Sequence, residues 1–115
     1  MTELRFNFSG HPVAAFEIAP LVGANLPSDG QELAEYIREL LLSLPERERL
    51  LAGEVGEVIL PGLAQAAALL LAEWHGQFGN WPSIRWATRG PDGFTWPEEA
   101  KADLNAVRES ARTAR

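Results

Sequence analysis

The chain has no cysteine and only two histidines, His11 and His75, among its 115 residues. The first absence removes disulfides, thiolate metal sites and cysteine nucleophiles, and makes a reducing cytoplasm the expected compartment. The second leaves any metal centre to scattered carboxylates, and no Asp, Glu and His stand at a ligand spacing, so neither a metal nor another cofactor is expected. Lysine occurs once, at Lys101, and 10 basic residues face 16 acidic ones for a net charge of −6. A long nucleic acid is therefore not an expected partner, because many phosphate contacts need a basic face. A small anion needs only a few well-placed donors. The longest uncharged run, 58–72, is interrupted by Pro61, Gly62 and Gln65 and falls short of the roughly 20 residues that cross a bilayer. No long apolar block follows Met1-Thr2-Glu3-Leu4-Arg5, which argues against a secretory signal. Walker, GxGxxG and nucleophile-elbow patterns are absent as well.

What is present is a core. The chain is 46% hydrophobic with 4 Trp and 5 Phe, enough apolar surface for one domain spanning 1–115 to offset its chain entropy. Residues 4–9 alternate apolar and polar, the pattern of a strand with one buried face, and Gly10-His11-Pro12 ends it. The apolar segment 13–26, broken by Pro20 and Gly23, reads as an extended edge strand. Ser28 and Asp29 offer caps to a helix that carries Leu33, Ile37, Leu40, Leu41 and Leu44 on one side. Pro45 stops it, and a short helical piece runs on to Gly53. A strand over 57–60 passes through Pro61-Gly62 directly into an Ala/Leu-rich helix that ends at His75-Gly76 or Phe78-Gly79. The next strand covers 83–89, Gly90-Pro91-Asp92-Gly93 is a turn, and 94–96 reads as a terminal strand. Pro97 then opens a last helix with Glu98 and Glu99 in its first turn. Strands alternating with helices predict an α/β protein: one Rossmann-like domain whose mostly parallel sheet is flanked by about three helices.

In such a sheet, ligands collect at the carboxyl ends of the strands. Three ends carry glycine: Ser9-Gly10-His11, Pro61-Gly62-Leu63-Ala64, and Arg89-Gly90 with Arg85 close by. Glycine lets backbone N–H groups approach a ligand, and the helix that starts after Pro61-Gly62 presents unpaired donors at its positive end. Each segment taken alone is also an ordinary turn; together they predict an anion or nucleotide pocket. The tryptophans at 74, 81, 86 and 96 read as core or interface residues in preference to base-stacking platforms. His75 reads as a helix-end residue, and Ala64, Ala68 and Ala72 form a small-residue stripe suited to the sheet or to a second subunit.

The run Phe6-Asn7-Phe8-Ser9-Gly10-His11-Pro12-Val13, the segment Val58-Ile59-Leu60-Pro61-Gly62-Leu63-Ala64 with its Ala-rich helix, and Phe78-Gly79-Asn80-Trp81-Pro82-Ser83-Ile84-Arg85-Trp86-Ala87 resemble the small CRISPR-associated accessory proteins of the Csx-fifteen family. The resemblance implies a CARF-like domain of type III CRISPR systems, a homodimer or higher homo-oligomer, and cyclic oligoadenylate as ligand, with the four-membered ring first. The ligand-binding residues expected on this basis are Asn7, Ser9, Gly10, His11, Pro61, Gly62, Leu63, Ala64, Arg85 and Arg89. Two activities fit the family: sequestration of the messenger, and metal-independent ring cleavage to linear di-adenylate with a 2′,3′-cyclic phosphate. Cleavage would draw on Ser9, His11, Arg85 and Arg89, which offer positioning groups but no evident general base, so sequestration is the expected function and no catalytic residue is assigned. A structural module that binds no nucleotide is the third reading.

Overall fold

A computed structural model describes residues 3–13, 16–18 and 26–115. Its elements run β1 (Arg5–Asn7), β2 (Glu17–Ile18), α1 (Gly30–Leu42), α2 (Arg47–Leu51), β3 (Glu57–Ile59), α3 (Ala64–Phe78), β4 (Ser83–Arg85), β5 (Thr88–Gly90), β6 (Gly93–Thr95), β7 (Lys101–Asp103) and α4 (Leu104–Thr113). Among the described residues five strands form a mostly parallel sheet in the order β2-β1-β3-β4-β7, in which β7 is antiparallel to β4. β5 and β6 make a separate hairpin. Among the described residues the architecture is mixed α/β with four helices.

Alternation along β1 sends Leu4, Phe6 and Phe8 to one face, where they meet Val58 of β3, Leu33, Ile37 and Leu41 of α1, and Ala66, Leu70, Trp74 and Phe78 of α3. Phe6, Phe8 and Phe78 all set their rings against Trp74, which has no exposed surface. Burial of this kind is the main stabilising term in a domain of this size. Gly56 is required here: a Cβ would lie 3.0 Å from Trp74 and 3.1 Å from Phe6. Helix α1 is capped by the Asp29 carboxylate, which accepts from the Glu32 N–H, and α3 ends at Gly79 in the left-handed region. The opposite sheet face carries Asn7, Ile59 and Arg85 in register and is covered near Ile59 by Val13, Phe16 and Trp96. Helices α1 and α3 therefore lie together on one face, whereas the sequence pattern had suggested a sheet covered by helices more generally.

Three expected boundaries move. The strand expected over 83–89 is two: β4 ends at Arg85, and β5 folds back through Gly90-Pro91-Asp92-Gly93 onto β6. The 94–96 strand is thus the second arm of a hairpin and does not join the sheet. The last helix starts at Leu104, because Asp103 caps it by accepting from the Asn105 N–H, while 97–100 close a turn through Ala100 N–H and the Pro97 carbonyl. The edge strand expected within 13–26 is present as β2, and 19–25 lie outside the described residues.

Candidate functional site

The chain leaves β1 and crosses to β2 on one side, and leaves β3 and crosses through α3 to β4 on the other. Connections that diverge from neighbouring parallel strands open a crevice at their carboxyl ends. Here the crevice lies between β1 and β3. A cavity of about 230 Å³ opens at this end of the sheet, lined by Ser9 and His11 after β1, Ile59, Leu60 and Gly62 at the end of β3, Ile84 to Ala87 at the end of β4, and Trp96.

The loop after β1 is built on Asn7, whose side chain is fully buried. Its Oδ1 accepts from the Ser9 N–H at 3.0 Å and from Ser9 Oγ at 2.6 Å, and its Nδ2 donates to the His11 carbonyl. Ser9 Oγ in turn accepts from the His11 N–H at 3.2 Å. Gly10 supplies the left-handed conformation, φ 81°, that the bend needs. The chain after β3 enters α3 through Leu63, an N-cap with no capping side chain; the first helical bond runs from Ala67 N–H to the Leu63 carbonyl. The N–H groups of Ala64, Gln65 and Ala66 precede that bond and give the helix end its anion-favouring character.

Arg85 is the strongest charge at the site and is already committed. Its Nη1 donates to Glu57 at 3.1 Å, and its Nη2 donates both to Glu98 at 3.0 Å and to the Trp96 carbonyl at 3.0 Å. Burial alone would favour the neutral guanidine, but hydrogen bonds to Glu57 and Glu98 outweigh it and raise the Arg85 pKa. The same hydrogen bond, reinforced by the Arg85 and Lys101 charges, holds the Glu98 carboxyl below the usual range. Arg85 thus straps the 96–98 segment across the sheet and roofs the cavity with Trp96.

No protein-family model matches the chain, and no curated protein or solved structure matches it either.

Of the expected ligand residues, Ser9, His11, Gly62 and Arg85 line the cavity. Asn7 and Gly10 shape its β1 rim from beneath, and Pro61, Leu63 and Ala64 form the turn and the open helix start beside it. Arg89 does not converge with them: it lies in the hairpin, its guanidinium 6.0 Å from the centre of the Phe94 ring. Trp86 and Trp96 also line the cavity, and Trp96 packs as well on the Val13, Phe16 and Ile59 cluster, in keeping with its reading as a core residue. Trp74 is core, and Trp81 stacks on His75 with 4.4 Å between ring centres. Ala64, Ala68 and Ala72 lie on the exposed side of α3. Among the described residues no three His, Cys, Asp or Glu side chains gather closely enough to hold a metal ion, and no helix is long and apolar enough to cross a membrane.

A second, larger hollow of about 540 Å³ opens at the amino ends of the strands. Its walls carry Glu3, Glu54, Glu57 and Asp103, and Arg49 there is held by Glu54 through two hydrogen bonds of 2.9 and 2.7 Å. Carboxylates of this density repel a phosphate, so size does not favour this hollow as an anion site.

Proposed function

We propose that the crevice between β1 and β3 binds a phosphate-bearing nucleotide, and that the chain sequesters cyclic oligoadenylate, the four-membered ring first, so damping type III CRISPR antiviral signalling. One observation carries the reading: the loop after β1 and the uncapped start of α3 meet where the strand connections diverge. That is where open α/β sheets hold ligands, with N–H donors aimed at phosphate. Trp86 and Trp96 add aromatic faces on which a base can stack. The strand order β2-β1-β3-β4 is also that of a common doubly wound sheet, which supports a Rossmann-like, CARF-like reading.

A cavity of about 230 Å³ lies below the roughly 300–1,000 Å³ that enclose drug-sized ligands. One copy can therefore hold only part of a ring of four nucleotides, and two copies related by a two-fold axis are the simplest enclosure for a symmetric ligand. Holding is favoured over cutting because the donors left for a phosphate are backbone N–H groups at the α3 start, which grip substrate and transition state alike, while Arg85 is engaged by Glu57, Glu98 and the Trp96 carbonyl.

The test is incubation with cyclic tri-, tetra- and hexa-adenylate, reading melting temperature and recovered nucleotide on the same samples. Ligand held only by the folded state adds about 2.7 kcal/mol at a hundredfold excess over Kd, a rise of several degrees. Intact tetra-adenylate recovered with that rise supports sequestration. Linear di-adenylate over many turnovers makes the chain a ring nuclease, and no shift with any ring removes the nucleotide reading.

A further inference from the structure

The loop after β1 fixes the direction of a hydroxyl proton at the cavity wall. The Asn7 carboxamide fits one way round: Oδ1 faces the Ser9 N–H, which can only donate, and Nδ2 faces the His11 carbonyl, which can only accept. Asn7 Oδ1 is therefore an acceptor 2.6 Å from Ser9 Oγ, and the Ser9 proton lies between them. Turned elsewhere, that proton would leave the lone pairs of two oxygens facing each other at 2.6 Å. The His11 N–H occupies a Ser9 Oγ lone pair at 3.2 Å. A hydroxyl has one donor and two lone pairs, so Ser9 has a single lone pair left for a ligand. Ser9 lines the cavity.

Ser9 Oγ thus acts toward a ligand as an acceptor. It repels a phosphate oxygen or a ring carbonyl and receives an N–H or O–H. The other walls decide between these donors. Ile59, Leu60, Ile84 and Ala87 are apolar and Trp86 and Trp96 aromatic, which suits the flat face of a nucleobase, whereas the ribose of a nucleotide stays with its phosphate at the start of α3. The donor that reaches Ser9 is then an exocyclic amine on the base edge. The His11 imidazole, also on the wall, can donate or accept at its ring nitrogens and so does not tell an amine from a carbonyl. Resting on the nucleotide reading above, we infer that Ser9 sets the base specificity of the site, selecting a base with an exocyclic amine, such as adenine, over its oxo counterpart, hypoxanthine. Exchanging the one base for the other replaces a donor by an acceptor at the same place and nearly preserves the shape.

The test is calorimetric titration of the full chain with cyclic tetra-adenylate and cyclic tetra-inosinate. Wild type should prefer the adenine ring by roughly tenfold or more, the scale on which a hydrogen-bonding site rejects an unmatched group. Ser9→Ala removes the lone pair, and should weaken the adenine ring and bring the ratio of the two affinities close to unity. Ser9→Thr keeps a hydroxyl and should keep the preference. The ratio is the readout because Ser9→Ala also gives up the bonds to Asn7 and His11, and a loosened loop weakens both rings alike. Equal affinity of wild type for the two rings, or a wild-type preference in Ser9→Ala, overturns the inference and leaves the nucleotide site standing. A chain that binds neither ring overturns both.

Discussion

Replacing Gly62 by aspartate separates binding from folding at the proposed site. A Cβ at Gly62 meets nothing within 4 Å, and its φ lies outside the left-handed region. The backbone can therefore accept the side chain without strain. A carboxylate next to the start of a helix is favourable, by about 0.3–1 kcal/mol, and α3 has no capping side chain to compete with it. Gly62→Asp should melt at or slightly above the wild-type temperature. A bound phosphate, in contrast, would sit within about 6 Å of the new charge, and at an effective dielectric of about 20 two unit charges at that distance repel by about 2.8 kcal/mol. That is a loss of about a hundredfold in affinity for cyclic tetra-adenylate, moderated by salt. Calorimetric titration at low and physiological ionic strength, with a melting curve on the same preparation, measures both effects. A variant that melts as expected and binds the ring as tightly as wild type would show that no phosphate sits at the α3 start, and the site would have to be abandoned.

Asn7→Ala removes the acceptor of the Ser9 amide and the donor to the His11 carbonyl inside a fully buried position; it should cost about 1–3 kcal/mol, read as a lower melting temperature, and weaken ring binding as well. Gly56→Ala drives a methyl group against Trp74 and Phe6 and should cost about 1–3 kcal/mol by overpacking, seen in melting and in the Trp74 near-ultraviolet signal. The Glu54 carboxyl, hydrogen-bonded by Arg49, and the Glu98 carboxyl, hydrogen-bonded by Arg85, both lie below the ordinary range. Their stabilisation is complete above the unfolded value of about 4.3 and is lost as pH falls through the lower folded values, so melting temperature should drop below about pH 4, and Glu54→Gln and Glu98→Gln should each flatten that drop.

Helix α1 and strand β1 were legible because their patterns are local: Leu33, Ile37 and Leu41 share one face at helical spacing, and Leu4, Phe6 and Phe8 share one face at period two. The β1 and β3 ends were legible for the same reason, since Ser9-Gly10-His11 and Pro61-Gly62 announce turns by composition. The last helix was not, because Pro97-Glu98-Glu99 is as good a helix start, read locally, as Asp103. What decides between them is distant in sequence: Arg85 takes the Trp96 carbonyl and the Glu98 carboxylate, and β4 takes 101–103 as a partner strand. Trp86 and Trp96 were hidden by the same fold-back. The one available signal was Arg85 itself, a charge in a short strand followed by tryptophan, which requires carboxylates to come to it.

Arg85 also bears on what the site does with a nucleotide. In-line attack of a ribose hydroxyl on its phosphate concentrates charge on the phosphoryl oxygens, and an arginine accelerates it only by gaining contacts as that charge develops. Both terminal nitrogens of Arg85 already donate to Glu57, Glu98 and the Trp96 carbonyl, its Nε is buried without a partner among the described residues, and swinging the terminal nitrogens toward a phosphate would leave a carboxylate or a carbonyl without its partner. Glu57 is only 19% exposed in its side chain, so water cannot fully replace what it would lose. The arginine is held in place as structure, and the N–H groups at the start of α3 cannot move toward a transition state any more than they can leave a ground state. Rigid donors of equal value to both states give affinity without turnover, which is the property a sequestering protein needs.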